Sequence, residues 1–517
     1  MTGFPGLERR DFLALLGGAS TAALGGAAPA FAQGTPRRGG ILRVSAPANP
    51  SSLDPATGGS GSDHVFLYTM FDTLVAFDYE TLRPEPGIAE SWSYPDPTTL
   101  LLNIRPGVLF HDGTPCDAAA VKYNLDRGRQ GERSNIRGDL VTVADVTVTG
   151  PNQVAVKLTQ PDTALPLILS DRAGMMCSPK AVEERGKDHD RNPVGAGPWK
   201  FVSWANGEKI VTTRHEKYWR PNRPHLDGVE LSVITEVQTG LRSVVAGQND
   251  FAYQLLPSQK PVIDRAKGLV SVTGPTLYCV QMFFNRALAP VNDVRVRRAM
   301  NYAIDRVEFN KATMNGLSEP AVVTMPAAHW AHDAEMAKAY PYDPDKARAL
   351  LTEAGHKDGI DIPAIGFSDQ RWQQRQEVII EQYRKAGIRI RFTNGTVAET
   401  SAAFNTERKV PVFLSAWTGR PDPSLTYQLM FGEGSYYNAA RTAATPEIGP
   451  ALQATRTSED IAVRKQAFAR LQRIVTENAL LVPLVFQFEL DAHAQRVKGF
   501  RPNLLGKPKF EDVWLDS

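Results

Sequence analysis

Short apolar segments with a two-residue period alternate with longer segments of helical period along nearly the whole chain. Residues 41–44, 229–234 and 388–392 are typical of strands, and 141–148 with 154–158 predict a hairpin around Gly150-Pro151-Asn152. A cap and a first-turn proline, Asp343-Pro344, mark the start of a helix. Mixed elements in this order predict an α/β fold.

The chain of 517 residues is longer than one hydrophobic core usually serves, so at least two lobes are expected. Its net charge of +2 offers no field for nucleic acid. The three cysteines, Cys116, Cys177 and Cys279, are too widely spaced for a disulfide framework or a zinc pattern. Buried, unpaired thiols are the default expectation for them.

The N-terminus has the features of an export signal. Arg9-Arg10 precede an uncharged segment, 12–36, that is rich in Ala, Gly and Leu and contains Ala30-Phe31-Ala32. This pattern predicts a signal peptide over 1–32, of the twin-arginine type, and therefore a periplasmic protein. A Sec-type leader and a transmembrane anchor are the alternatives, and the glycines and Pro29 disfavour the anchor.

The motifs of common enzymes are missing from the sequence. There is no G-x-S-x-G and no Walker A loop, and Gly195-Ala196-Gly197 lacks the third glycine of a dinucleotide loop. His329 and His332 lie in a Pro- and Ala-rich segment without a convincing set of further metal ligands. These absences favour a binding protein with no catalytic residues, no cofactor and no metal.

Several segments, in order, resemble the extracellular solute-binding protein family 5, the peptide, nickel and opine group of ABC importers. They are LRPEPGIAESW at 82–92, His111-Asp112-Gly113, NPVGAGPW at 192–199 and NYAIDR at 301–306. Any one of them is weak evidence, but their order along nearly the whole chain after about Gly40 is specific.

The resemblance implies a two-lobed periplasmic-binding-protein (Venus flytrap) fold that closes on its ligand about a hinge. The first lobe would span 40–273 plus 488–517, with an extra subdomain at 78–189, and the second 274–487. The protein would be a monomer that delivers a small molecule to inner-membrane ABC permease subunits.

The segment LSAWTGRPDP, 414–423, resembles the W-x-G-x-x-D-P loop of the family, which contributes to the ligand pocket. Peptide binders often carry an Asp directly after Trp-x-Gly, and this chain has Arg420 there. A guanidinium suits a carboxylate or phosphate, so we expect an anionic ligand group near Arg420. The alternative is a surface arginine ahead of a turn at Pro421. Trp417 is expected to form a flat wall, with core packing as the alternative.

Other candidates for ligand binding are weaker. Asp422, followed by Pro423, fits a helix cap better than a ligand contact. Arg371-Trp372 occupy a segment where some relatives hold a ligand carboxylate, although a solvated helix start fits better. The remaining candidates are four tyrosines: Tyr253, Tyr278, Tyr436 and Tyr437.

Together these features predict capture of a peptide or peptide-like, carboxylate-bearing molecule, such as an opine or a glutathione-like compound. A metal-complex or haem carrier of the same fold, an exported enzyme and a sensory binding protein are the alternatives.

Overall fold

This computed structural model describes residues 35–516, apart from the side chain of Ala398. Two large mixed β-sheets form the framework of this part of the chain. The predicted signal peptide, 1–32, lies outside the described residues. We call the part built on the seven-stranded sheet the first lobe and the part built on the six-stranded sheet the second lobe.

The seven-stranded sheet draws its strands from both ends of the described chain. Its parallel pairs join Ile41–Ala46 to Gly228–Val233 and to Phe251–Ala252, and its other pairs are antiparallel. In spatial order the strands are Leu269–Gly274, Glu489–Ala494, Phe251–Ala252, Ile41–Ala46, Gly228–Val233, Lys209–Arg214 and Trp199–Ala205.

The six-stranded sheet contains a strand–helix–strand unit. Strands Ile360–Phe367 and Ile388–Gly395 pair in parallel, which requires a crossover, and helix Gln370–Lys385 supplies it. Ile379 and Tyr383 of that helix are fully buried against the sheet. In spatial order the strands are Glu319–Pro320, Leu481–Phe486, Cys279–Phe284, Val412–Trp417, Ile360–Phe367 and Ile388–Gly395.

A four-stranded antiparallel sheet is formed by a segment that lies, along the chain, between two strands of the seven-stranded sheet, Ile41–Ala46 and Trp199–Ala205. Its order is Ala89–Asp96, Thr99–Ile104, Gln153–Leu158 and Val143–Gly150. The last two strands form the predicted hairpin, which is therefore confirmed. Two smaller ribbons pair Val75–Phe77 with Pro84–Pro86 and Val497–Lys498 with Trp514–Leu515.

The helices cover the sheets and connect their strands. The predicted cap at Asp343 is confirmed, since its carboxylate accepts from the Lys346 amide. The α-helices are His64–Met70, Ala118–Gln130, Leu165–Ile168, Pro179–Arg185, Val237–Val245, Lys260–Arg265, Val294–Tyr302, Arg306–Met314, Pro344–Glu353, Gln370–Lys385, Val397–Ser401, Pro423–Phe431, Ile448–Ala454 and Ile461–Glu477, and a π-helical turn spans Ala402–Thr406. None of the helices within 35–516 is long and apolar enough to cross a membrane. Cys116, Cys177 and Cys279 are buried and form no disulfide.

The chain passes between the two large sheets twice within the described residues. Strand Leu269–Gly274 leads into Cys279–Phe284, and Leu481–Phe486 leads into Glu489–Ala494. The two connections are hydrogen-bonded to each other. The Gln487 amide donates to the Tyr278 carbonyl at 2.8 Å, and the Thr276 hydroxyl donates to the Gln487 carbonyl. Two paired connections of this kind are suited to bending as a hinge.

A buried ion pair joins the region of the four-stranded sheet to the second lobe. Arg456 Nε lies 2.9 Å from Asp162 Oδ1, and the two side chains are 5% and 0% exposed. The Thr163 amide and hydroxyl donate to the carbonyls of Arg456 and Ser458. Because both charges are paired and Thr163 adds two hydrogen bonds, this contact specifies how the two regions meet in this conformation.

Gly197 tests the packing at the centre of the first lobe. A Cβ at this position would lie 2.5 Å from the carbonyl carbon of Met70 and 2.5 Å from the Phe71 nitrogen. We expect Gly197→Ala to lower the free energy of unfolding by about 1–3 kcal/mol, because backbone atoms must move apart. Urea denaturation of the purified protein measures this.

Gly449 is the matched control. It lies in helix Ile448–Ala454, and a Cβ there would meet no atom within 4 Å. Gly449→Ala should raise the free energy of unfolding by about 0.5–1 kcal/mol through helix propensity. Equal effects of the two substitutions would contradict the packing at Gly197.

Candidate ligand-binding site

Strand Val412–Trp417 divides its side chains between the core and a cavity. Phe413, Ser415 and Trp417 line a cavity of about 400 Å³, whereas Val412 and Leu414 pack into the core on the other face of the sheet. Phe413 and Trp417 also pack in an apolar cluster on the cavity side, and the small side chain of Ala416 reaches the edge of the cavity. This division follows from the two-residue period of a strand.

Five of the residues predicted from the sequence meet at this cavity. They are Tyr278, Arg371, Trp372, Trp417 and Tyr437. Trp372 is only 3% exposed, so it is not part of a solvated helix start, whereas the Arg371 side chain is half exposed. The side chains come from a crossing segment, a helix start, a strand and a loop, and the fold of the second lobe brings them together.

Edge-to-face contacts hold the aromatic walls in place. The rings of Trp417 and Tyr437 lie 5.2 Å apart at 87°, and those of Trp372 and Phe367 lie 5.0 Å apart at 75°. The Trp417 indole N–H donates to the Thr426 hydroxyl at 3.1 Å, which fixes the orientation of its ring. Rings fixed in this way form a preorganised apolar wall.

Arg420 lies beside this wall. Its guanidinium carbon is 5.3 Å from the centre of the Trp417 ring, and Nη1 donates to the Gly419 carbonyl at 2.9 Å. Gly419 has a φ of +74°, and a Cβ there would lie 2.3 Å from Leu277, so only glycine fits. The tight turn therefore brings the guanidinium over the indole.

The charge of Arg420 acts on groups of the first lobe. Burial raises the pKa of Asp139 to about 6, and the Arg420 cation partly opposes that rise. Burial lowers the pKa of Lys507 to about 8, and Arg420 contributes to the lowering while Asp171 opposes it. Arg420 is thus near enough to these two groups for its charge to act on both, although it forms an ion pair with neither.

A hydrogen-bonded cluster lies behind Lys507 in the first lobe. Lys507 Nζ is 3.5 Å from Asp171 Oδ2, and His64 Nε2 is 2.6 Å from Asp171 Oδ1. Burial lowers the pKa of His64 to about 4, and Asp171 opposes this only in part. His64 is therefore neutral at neutral pH, and the cluster contributes one anion and one cation.

Comparison with known proteins identifies the family. The model of the bacterial extracellular solute-binding proteins, family 5 (Middle), matches residues 83–438. The chain belongs to this family. As a member, it is a solute-binding protein.

The similarity to individual family members extends over most of the chain. The glutathione-binding protein GsiB of Salmonella paratyphi A is 28% identical over 471 residues, which is 88% of this chain and 91% of that protein. GsiB of Escherichia coli O157:H7 is 27% identical with the same coverage.

Solved structures show the same fold. DppA of Helicobacter pylori, in complex with the peptide STSA, has a TM-score of 0.82 at 22% identity and covers 93% of this chain and 99% of its own. AgaA of A. tumefaciens R10, in complex with agropinic acid, has a TM-score of 0.79 at 21% identity, with 92% and 99% covered. The predicted two-lobed periplasmic-binding-protein fold is therefore confirmed.

Three of the predicted site residues, Tyr436, Tyr253 and Asp422, do not line this cavity. Tyr436 is 46% exposed and stacks edge-to-face on Tyr437 outside the cavity. Tyr253 is 3% exposed in the core of the first lobe, because it directly follows Phe251–Ala252, an inner strand of the seven-stranded sheet. The expectation that Tyr253 lines the ligand cavity is corrected.

Asp422 is structural. Its carboxylate caps helix Pro423–Phe431 by accepting from the Ser424 amide. Both carboxylate oxygens also accept from Arg464 Nη2, at 2.9 and 2.8 Å. It is fully buried, so its oxygens are occupied by protein donors. The capping interpretation is confirmed, and Asp422 is removed from the ligand-binding candidates.

The walls of the cavity also include four phenylalanines that the sequence did not single out. They are Phe283, Phe367, Phe404 and Phe413. Their polar companions are Asp369, Ser401, Asn405 and Ser415. The alternation of Phe413, Ser415 and Trp417 in one strand was the available signal, because it places all three on one face.

One buried cluster in the first lobe has the residue types of a metal site. Ligand atoms of Asp54, Cys177 and His189 lie within 4.8 Å of one another. However, Arg127 donates to both oxygens of Asp54 and lies 4.0 Å from Cys177 Sγ. Burial also raises the pKa of the Cys177 thiol, so it stays protonated. A guanidinium and a neutral thiol do not fit a metal, and the cluster is an ion-pair network.

Asp422→Ala should lower the free energy of unfolding by about 3–5 kcal/mol, because it leaves Arg464 buried without its partner. Asp460→Ala is a matched control: Asp460 caps helix Ile461–Glu477 but is exposed and binds only backbone amides. We expect it to cost about 1 kcal/mol. Guanidinium denaturation of both variants measures the two losses of unfolding free energy. Equal losses would contradict a contribution of the Asp422–Arg464 ion pair beyond helix capping.

The pKa of His64 predicts a pH dependence of stability. Between its folded value of about 4 and its ordinary value of 6.5, the unfolded chain binds the proton and the folded protein does not. Stability from this group is therefore fully present above pH 6.5 and is lost as the pH falls towards 4. His64→Gln should show a shallower loss of unfolding free energy over this window than the wild type. Parallel slopes would contradict a buried neutral His64.

Proposed function

We propose that this solute-binding protein captures a peptide-like, carboxylate-bearing molecule in the periplasm and delivers it to the permease subunits of an ABC importer. In this proposal it acts as a monomer, performs no catalysis and binds no nucleic acid. In the same proposal the first lobe spans 40–273 plus 488–517 and includes the extra subdomain at 78–189, and the second lobe spans 274–487. The two crossing connections between these lobes form the hinge.

The observation that carries the proposal is the aromatic cavity in the wall of the second lobe, with Arg420 beside it. Apolar walls remove the ligand from water, so its charged groups require charged partners. Arg420 offers a guanidinium that has no carboxylate partner among the ion pairs of residues 35–516. The similar proteins are named for binding glutathione or were solved with a peptide or agropinic acid, and these ligands agree with one that carries carboxylates.

The cavity gives no support to the alternatives. Its lining contains neither histidine nor cysteine, the usual ligands of a transition metal or haem iron. Ser401 and Ser415 lie on its wall without a histidine that could activate them.

A ligand screen tests the proposal. Thermal unfolding of residues 33–517 would be followed with di- to hexapeptides, glutathione, opines, sugars and divalent metals. A ligand at 100 times its dissociation constant should add about 2.7 kcal/mol of stability. A shift with carboxylate-bearing peptide-like compounds is the expected result. A shift with sugars or metals alone would contradict the proposal.

Arg420→Gln should weaken binding of such a ligand about 10- to 100-fold, because a charge-assisted hydrogen bond is lost. Calorimetric titration measures the change. Arg473→Gln, on an exposed face of helix Ile461–Glu477, is the control and should leave the affinity unchanged. Equal affinity of wild type and Arg420→Gln would show that Arg420 does not contact the ligand.

A further inference from the structure

Among the residues that the structure describes, Arg375 is a buried cation without an ion-pair partner. It lies in helix Gln370–Lys385, one turn after Trp372, and is 1% exposed. Its guanidinium carbon is 4.5 Å from the centre of the Trp372 ring.

Most of its hydrogen-bonding capacity is unused. Nε and Nη1 have no hydrogen-bond partner within residues 35–516. Nη2 reaches Gln487 Oε1 at 3.4 Å and Met314 Sδ at 3.8 Å, both long contacts. A buried charge with such weak compensation destabilises the protein that contains it.

Arg306 shows what a satisfied arginine in the same lobe looks like. It is 6% exposed, and its guanidinium donates to the carbonyls of Ala321, Pro483 and Asn301 and to Asn301 Oδ1. The two arginines are similar in burial but differ in hydrogen bonding, so burial by itself does not explain Arg375.

The unsatisfied guanidinium lies directly behind the cavity wall. Trp372, on which it stacks, lines the cavity, and so do its electrostatic neighbours Tyr278, Arg371 and Asp369. Gln487, whose side-chain oxygen accepts from Nη2, belongs to a crossing connection. Burial lowers the pKa of Arg375 to about 10, which leaves it charged at neutral pH.

A second cation reaches the same end of the cavity. Arg371 lines it and pairs only loosely with Asp369, at 3.9 Å. In a low-dielectric wall, an unpaired charge projects its potential into the adjacent space. This end of the cavity is therefore prepared for negative charge.

We propose that the end of the cavity between Tyr278 and Trp372 receives a second anionic group of the ligand, and that Arg375 selects it by its field. The ligand class is then a peptide-like compound with two separate carboxylates, one near Arg420 and one near Arg371 and Arg375. This inference rests on the proposed function and narrows its ligand.

The first test compares the unliganded proteins. Arg375→Met keeps a similar length and removes the charge, so it should raise the melting temperature, by about 1–3 °C. Arg306→Met should lower the melting temperature, because it leaves several buried carbonyls without donors. A fall for Arg375→Met like that of Arg306→Met would mean that Arg375 is structural and would overturn the inference.

The second test measures binding of glutathione and of its two single carboxamides, each lacking one of the two carboxylates. In the wild type each amide should bind at least about 10-fold more weakly than glutathione. In Arg375→Met one of the amides should bind as well as glutathione itself, because this variant has already lost the interaction with the carboxylate that the amide lacks. In Arg420→Gln the same should hold for the other amide.

The outcomes separate the two proposals. Wild-type protein that binds glutathione and both amides equally would overturn the second anionic site and leave peptide-like binding intact. Wild-type protein that binds neither glutathione nor any peptide of the screen would contradict the proposed function. The comparison of melting temperatures would still decide whether Arg375 is structural.

Discussion

The pairing of the two crossing connections is the constraint on which the rest of the structure depends. Tyr278 accepts from the Gln487 amide in the connection itself and also lines the cavity. Leu277, its neighbour, donates its amide to the Leu504 carbonyl and restricts position 419 to glycine. The backbone that would bend on closure therefore also positions the aromatic wall and Arg420. A ligand that contacts this wall is in direct contact with the hinge.

The charges inside the protein fall into two groups. Asp422–Arg464 and Asp162–Arg456 are buried on both sides, and Asp54–Arg127 is buried at the aspartate. All three are paired and hydrogen-bonded, and they set how helices and regions of the protein meet. Arg375 is equally buried but almost unpaired. These three pairs are thus satisfied within the protein, whereas Arg375, with two guanidinium nitrogens that find no partner in residues 35–516, lies against the cavity wall. Destabilising features of this kind commonly occur where function requires them.

Much of the fold could be predicted from local signals. The hairpin at Val143–Gly150 and Gln153–Leu158 and the caps at Asp343 and Asp422 depend on neighbouring residues, and all three were predicted correctly. Trp417 and Trp372 were found through segments that resemble the family. Phe283 and Phe404 were missed because an apolar residue that faces a cavity has the same pattern as one that faces the core. Arg375 could not be found, because a helical arginine normally reaches solvent, and only the packed structure shows that it does not.

The division of labour in strand Val412–Trp417 has a consequence for how such a protein can change over time. Its odd-numbered side chains face the cavity, while Val412 and Leu414 face the core. Phe413 and Trp417 also belong to an apolar cluster of the lobe, so a substitution there changes the cavity wall and disturbs the packing together. Ser415 is the polar member of the same face, and a substitution there changes the polarity of the wall while both rings and the inner packing layer stay in place. The geometry of one strand thus makes selectivity and foldability separately heritable at this position.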